Sequence, residues 1–239
     1  MTFRTRVAAA KVREALDIRE KVSKLRGIYR GERCYLVAGG PSTGHVSKET
    51  LQLMRKHPTI AVKHALSVVP FADIHILNQY KYVPYVYADE KPIVIATTQR
   101  HRPMPPKNCD IIVPLQSSNS HSDTISGRRD FDEYTFDHRL MRGWGPSIFF
   151  ELGVYLAVHC GAAELVTLGI DFVDAPHFWA GKFPRTAGSK REAILSEYAA
   201  IKAALPAWYS WLKSQGVLWK FIETPVPSAL TGIVPSITL

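Results

Sequence analysis

Short apolar runs alternate with segments of helical period along most of the chain. CYLVA (34–38), TIAVKHAL (59–66), ADIHILNQ (72–79), KPIVIATT (91–98), CDIIVPLQ (109–116), LVTLG (165–169) and LWKFIE (218–223) are rich in Val, Ile and Leu. They lack strict polar alternation, as expected of strands buried on both faces of a parallel sheet. Between them, SKETLQLMRKH (47–57) predicts a helix with Ser47 as its N-cap and Pro58 just past its end. GPSIFFELGVYLAVHCG (145–161) is apolar on nearly all sides and predicts a buried helix that stops at Gly161 and feeds the strand at Leu165. SKREAILSEYAAIKAALPAWYSWLKSQG (189–216) predicts an outer helix bent near Pro206, and LWKFIE then closes the sheet. Strands alternating with helices predict an α/β fold with a mostly parallel sheet flanked by helices.

Two segments depart from this rhythm. Residues 4–33 show the period of one amphipathic helix whose apolar side carries Val7, Val12, Leu16, Ile18, Val22 and Leu25, with a solvated basic face. Residues 117–143 are polar and hold no period, which predicts a lid or binding loop inserted into the domain. The organisation expected is a basic N-terminal helix over 1–32, then one Rossmann-like catalytic domain over 33–239 with the lid at about 117–143.

Composition narrows the class without choosing a function. At 239 residues the chain can bury one large core, and its 46% hydrophobic and 21% charged content is that of a folded globular protein. No apolar stretch approaches the roughly 20 residues of a membrane span, and no signal-peptide pattern opens the chain, so a cytoplasmic location is expected. Cys34, Cys109 and Cys160 are three and far apart, the pattern of reduced thiols rather than a disulfide or metal framework. The net charge of +9 favours anionic partners: nucleotides, nucleic acid or the head groups of a membrane surface.

In an open α/β sheet, ligands bind beyond the carboxyl ends of the strands, near a reversal of strand order. The features expected on that rim are Gly39, Gly40, Pro41 and Ser42 after the first strand, His64, Asn78, Ser147 before the buried helix, and Gly169, Ile170 and Asp171. VAGGPSTG (37–44) is neither a Walker loop nor G-x-G-x-x-G. Phosphate cradle, base platform and strand-ending turn are all open readings of it. Gly145-Pro146-Ser147 places free amides and a hydroxyl at a helix start, where a phosphate or ribose would be stabilised, or Gly145 serves only close packing.

The succession of AGGPS, ADIHILNQ, GPSIFFELGVYLAVHCGAAELVTLGIDF and TPVPSAL resembles the family-42 bacterial sialyltransferases. It is similar as well to the wider superfamily of MptE-like pterin diphosphokinases and motility-accessory glycosyltransferases. The resemblance implies that Gly39, Gly40, Pro41 and Ser42 contact the donor nucleotide, that His64 and Asn78 hold it, and that Ser147 meets donor phosphate or sugar. It further implies that Gly169, Ile170 and Asp171 end the matching strand, that Pro227 and Ser228 form a turn near the base, and that His177 is the catalytic base. The family's tyrosine pair has no counterpart here, Val173 standing at one place and Phe178 or Trp179 near the other.

The expectation is therefore a glycosyltransferase moving a sugar, of the CMP-linked acidic kind, from a nucleotide donor to an acceptor hydroxyl. Asn78 stands where the diphosphokinase branch places an acidic metal ligand, which points to transfer with no metal and no cofactor beyond the nucleotide sugar. Two alternatives stay open. One is a pyrophosphokinase of the pterin-kinase type using Mg²⁺, and the other is a protein that binds or modifies nucleic acid.

Overall fold

The structure, a computed structural model, describes residues 1–78, 85, 87, 90–97, 109–113, 148–178 and 191–239. The expected lid at 117–143 lies outside the described residues, as do Gly145, Pro146 and Ser147.

Eight parallel strands form one sheet: β1 Arg33–Val37, β2 Thr59–Val62, β3 Ile74–Asn78, β4 Ile93–Thr97, β5 Ile111–Val113, β6 Glu164–Leu168, β7 Leu218–Ile222 and β8 Ser236–Ile237. Their spatial order is β5-β4-β3-β2-β1-β6-β7-β8, so the chain winds outward from β1 to one edge and then returns to build the other half from β6. This is the α/β, Rossmann-like architecture that the alternation of apolar runs implies. Alternate residues serve opposite faces. Cys34, Leu36, Ile60, Val62, Ile74, Ile76, Ile93 and Ile95 enter one core with the N-terminal and later helices. Tyr35, Val37, Ala61, Val166 and Leu168 enter the other with Met54 and Leu66. Burial on both faces explains why these strands read as continuous apolar runs.

The helices are α1 Phe3–Glu14, α2 Ile18–Ser23, α3 Lys48–Met54, α4 Tyr155–His159 and α5 Arg191–Ser214. Ser47 caps α3, its hydroxyl accepting the Thr50 amide at 3.0 Å. A π-helical turn, Ile148–Val154, runs into α4, and Gly161 ends that helix at φ +83°. α5 continues through Pro206 to Ser214.

Three expectations about elements differ from the structure. TIAVKHAL is a strand only to Val62, because Lys63 turns to φ +53° and a 3₁₀ turn, Lys63–Ser67, follows. β7 does not close the sheet; the two-residue β8 lies beyond it. The N-terminal segment is two helices rather than one, since the Asp17 carboxylate accepts the Glu20 amide at 2.8 Å and starts α2 afresh. Val12, Val22 and Leu25 enter the core as their spacing implies, whereas Val7 and Leu16 are exposed. Cys34, Cys109 and Cys160 are free, and burial pushes the Cys34 and Cys160 thiols well up.

Candidate functional site

The strand order reverses between β1 and β6, which makes the carboxyl ends of these two neighbours the switch point of the sheet. AGGPS leaves β1 there and GID leaves β6 beside it. The two exits are pressed together: the Gly40 amide donates to the Gly169 carbonyl at 2.9 Å and the Ala38 amide to that of Leu168 at 2.8 Å. A Cβ on Gly40 would lie 2.5 Å from the Gly169 oxygen and would also strike the Asp171 carboxylate. Gly169 itself has φ +79°, and a side chain there would collide with Thr43 Oγ1 and the Ala38 carbonyl. Both glycines are therefore demanded by close approach and not merely by the ending of a strand.

Ser42 and Asp171 lock the junction. The Ser42 amide donates to Asp171 Oδ2 at 2.9 Å, and the Gly169 amide donates to Ser42 Oγ at 3.0 Å. Both side chains are buried. Burial raises the Asp171 carboxyl above its ordinary range, against the pull of the Ser42 amide that stabilises the anion. The Thr43 amide bonds the Gly40 carbonyl at 3.2 Å. The amides of Gly40, Ser42 and Thr43 are thus engaged within the junction and do not form a ring of free donors, while Gly39 and Pro41 stand partly exposed on the turn.

A third loop joins from the TPVPSAL segment. Ser228 Oγ donates to the Ile170 carbonyl at 3.3 Å, and the Ala229 amide donates to the Asp171 carbonyl at 2.8 Å. Gly169, Ile170 and Asp171 are consequently held between the β1 exit and the turn carrying Ser228. Phe172, next in the chain, adopts φ +49°, an unusual value for a side-chain-bearing residue and a local strain of the kind found around binding sites.

His177 closes the group on its solvent side. Its Nδ1 lies 2.8 Å from the Gly39 carbonyl. A carbonyl only accepts, so Nδ1 carries the proton, and in the neutral ring the lone pair sits on Nε2. His177 is exposed overall, yet the hydration lost where it meets the protein lowers its pKa below its ordinary value, the Gly39 bond opposing and the Lys63 charge adding to the effect.

Behind it runs a row of histidines. His64, in the 3₁₀ turn that follows β2, is pulled down to about 4 by burial first and then by the charges of Lys63 and His177. His75, wholly buried on β3, donates from Nε2 to the Lys63 carbonyl and accepts the Tyr87 hydroxyl at Nδ1, both at 2.9 Å. Burial brings it to about 4 as well. Tyr85 lies edge-on to His75 with centroids 4.6 Å apart, and its ring stands 5.8 Å from that of His64. His75 thereby anchors the backbone at Lys63, the second residue bearing a side chain with positive φ.

Of the residues singled out in the sequence, Gly39 to Ser42, Gly169 to Asp171, His177 and Ser228 meet in one bonded assembly, and His64 adjoins it electrostatically. Asn78 ends β3 two strands away on the same rim, paired with Thr97. Ser147 lies outside the described residues. Lys63 and His75 were not singled out. A histidine within ADIHILNQ marks a polar group on a buried strand, but nothing in the sequence ties it to a carbonyl twelve residues earlier. Among the described residues no group of three His, Cys, Asp or Glu side chains gathers as a metal centre would require. No family model matches the chain, and no curated protein matches it.

Proposed function

We propose that the chain is a glycosyltransferase that uses a nucleotide-activated sugar, with the donor lying over Gly39 and Pro41 at the switch point and His177 as the base. The observation that carries this reading is the 2.8 Å bond of His177 Nδ1 to the Gly39 carbonyl, which holds the imidazole against the glycine turn and makes Nε2 the basic nitrogen of the neutral ring. The lowered pKa keeps that nitrogen unprotonated at neutral pH, the state a general base needs. The resemblance of AGGPS, LGIDF and TPVPSAL to the family-42 sialyltransferases supports a nucleotide sugar, and a CMP-linked acidic sugar in particular, as the donor.

In the step proposed, the acceptor hydroxyl gives its proton to His177 Nε2 while its oxygen bonds the anomeric carbon of the donor sugar. The bond from that carbon to the nucleotide phosphate breaks, and its electron pair leaves with the phosphate. The imidazolium formed keeps its Nδ1 proton on the Gly39 carbonyl, a bond strengthened by the new charge, and then releases the Nε2 proton to water. Acceptor and donor stay balanced, and no outside reactant is needed.

The test is transfer from CMP-, UDP- and GDP-sugars by the wild-type chain and by His177→Ala. The expected result is turnover of one donor class by the wild type and a fall of about 10²-fold to 10⁴-fold in kcat for the variant, with donor binding retained. Full activity in His177→Ala would remove the base from the mechanism.

A further inference from the structure

α1 carries two apolar faces. At about 100° of rotation per residue, Thr5, Ala8, Ala9 and Val12 lie on the side turned to the core, and all four are buried. Phe3, Val7 and Ala10 lie within about 60° of one another on the opposite side. Phe3 is 78% exposed and Val7 41%, while Leu16, in the turn after the helix, is 94% exposed. Three of the six large hydrophobic side chains that stand exposed among the described residues therefore fall within the first sixteen positions. Cations flank the stripe, Arg4 and Lys11 on one side and Arg6 and Arg13 on the other, and Glu14 ends it.

The segment is basic as a whole: residues 1–32 hold nine Lys or Arg against four Asp or Glu. Arg4 pairs with Glu32 at 3.2 Å and Arg6 with Glu90 at 2.9 Å, yet both arginine side chains are more than half exposed. Each of these pairs occupies one of five guanidinium donors, and exposed pairs of this kind are weak and exchange readily. Arg13 is tied more firmly, to Asp110 and to the carbonyls of Lys91 and Pro92. Together with the bond from the Thr2 amide to Asp73, this fixes α1 across the amino ends of β3 to β5, at the end of the sheet opposite the switch point.

We propose that α1 and the turn after it dock the chain on an anionic lipid bilayer. Phe3, Val7 and Leu16 enter the boundary between head groups and acyl chains, and Arg4, Arg6 and Lys11 meet the phosphates and carboxylates around them. An apolar stripe bordered by cations is what an interfacial helix requires, and anionic head groups complement its charge. A nucleic acid would complement the cations but leave the phenyl ring at their centre without a partner. A second copy would oppose one basic face with another. No helix among the described residues is long and apolar enough to cross a membrane, so the contact is superficial. Docking there leaves the switch-point rim open to its ligands, and the proposal does not depend on what that rim binds.

The test is flotation of the full chain with vesicles of phosphatidylcholine alone and of phosphatidylcholine mixed with phosphatidylserine. The expected result is binding to the mixed vesicles that weakens as salt rises, with little binding to the neutral ones. The double variant Phe3→Glu with Val7→Glu should bind about tenfold less or weaker still while melting at the wild-type temperature, because both side chains point outward. Leu16→Glu, which lies outside any helix, gives the same reading without risk to α1. Failure of the wild type to bind mixed vesicles, or equal binding by the variants, overturns the proposal. So does a dimer that Phe3→Glu dissociates, or salt-sensitive binding to duplex DNA or RNA in the absence of vesicle binding.

Discussion

Three histidines near the rim share one electrostatic feature: each has a pKa below that of an unfolded histidine. The sign of the consequence follows from proton counting. In acid the unfolded chain takes up protons that the folded His64 and His75 refuse, so stability is complete above about pH 6.5 and is lost as pH falls from there toward about 4. Each histidine steepens that loss by up to about 1.4 kcal/mol per pH unit. His75→Gln, whose amide can still donate to the Lys63 carbonyl, is expected to flatten the slope by up to about 1.4 kcal/mol per pH unit across this window. Denaturant melts between pH 4 and pH 7 measure it, and an unchanged slope would mean that His75 is not charged on unfolding in acid. His177 was visible in the sequence because a motif order frames it, whereas His75 was not. Its importance comes from burial and from one carbonyl, and both are products of the fold.

At the scale of elements, the junction of β1 and β6 rests on two residues with no side chain. Gly40→Ala is expected to cost about 2–5 kcal/mol, because the new methyl must displace the Gly169 carbonyl and the Asp171 carboxylate, and both are bonded in place. Gly232→Ala is the contrast: its φ is +81° where that of Gly40 is −64°, and nothing lies within 4 Å of its added carbon, so strain without crowding should cost only about 1 kcal/mol. Equilibrium urea unfolding of the two variants separates crowding from backbone strain. The sequence showed the glycine pair but could not say which glycine is crowded or by what, since the partner lies some 130 positions later. Interior strands were legible from their apolar runs. β8 was not, because two residues at an edge carry no pattern, and the break between α1 and α2 was hidden by an apolar spacing that continues across it. Counting Val7 and Leu16 with the inner face followed from that continuity, and their exposure is what gives α1 its second apolar side.

For the whole molecule, strand order decides where chemistry can happen. Parallel strands direct every carboxyl end to one rim, and the reversal between β1 and β6 is where sheets of this kind hold their ligand crevice; residues as distant as Gly39, Asp171, His177 and Ser228 become neighbours there. A nucleotide that binds this crevice binds only the folded chain, and at a hundred times its dissociation constant it adds about 2.7 kcal/mol of stability. For a chain of this size that corresponds to a rise in melting temperature of about 5–10 °C. A panel of CMP, CDP, UDP, GDP and ATP, each with and without Mg²⁺, is expected to show such a rise for CMP without dependence on the metal. His177→Ala should keep the rise while losing transfer, since in the mechanism we propose the imidazole serves the acceptor proton and not the nucleotide. Loss of both together would make His177 part of the binding surface. Stabilisation by ATP with Mg²⁺ alone would instead assign the crevice to pyrophosphoryl transfer, because a hard cation bridging phosphates is what that reaction needs and what glycosyl transfer over a histidine base does not.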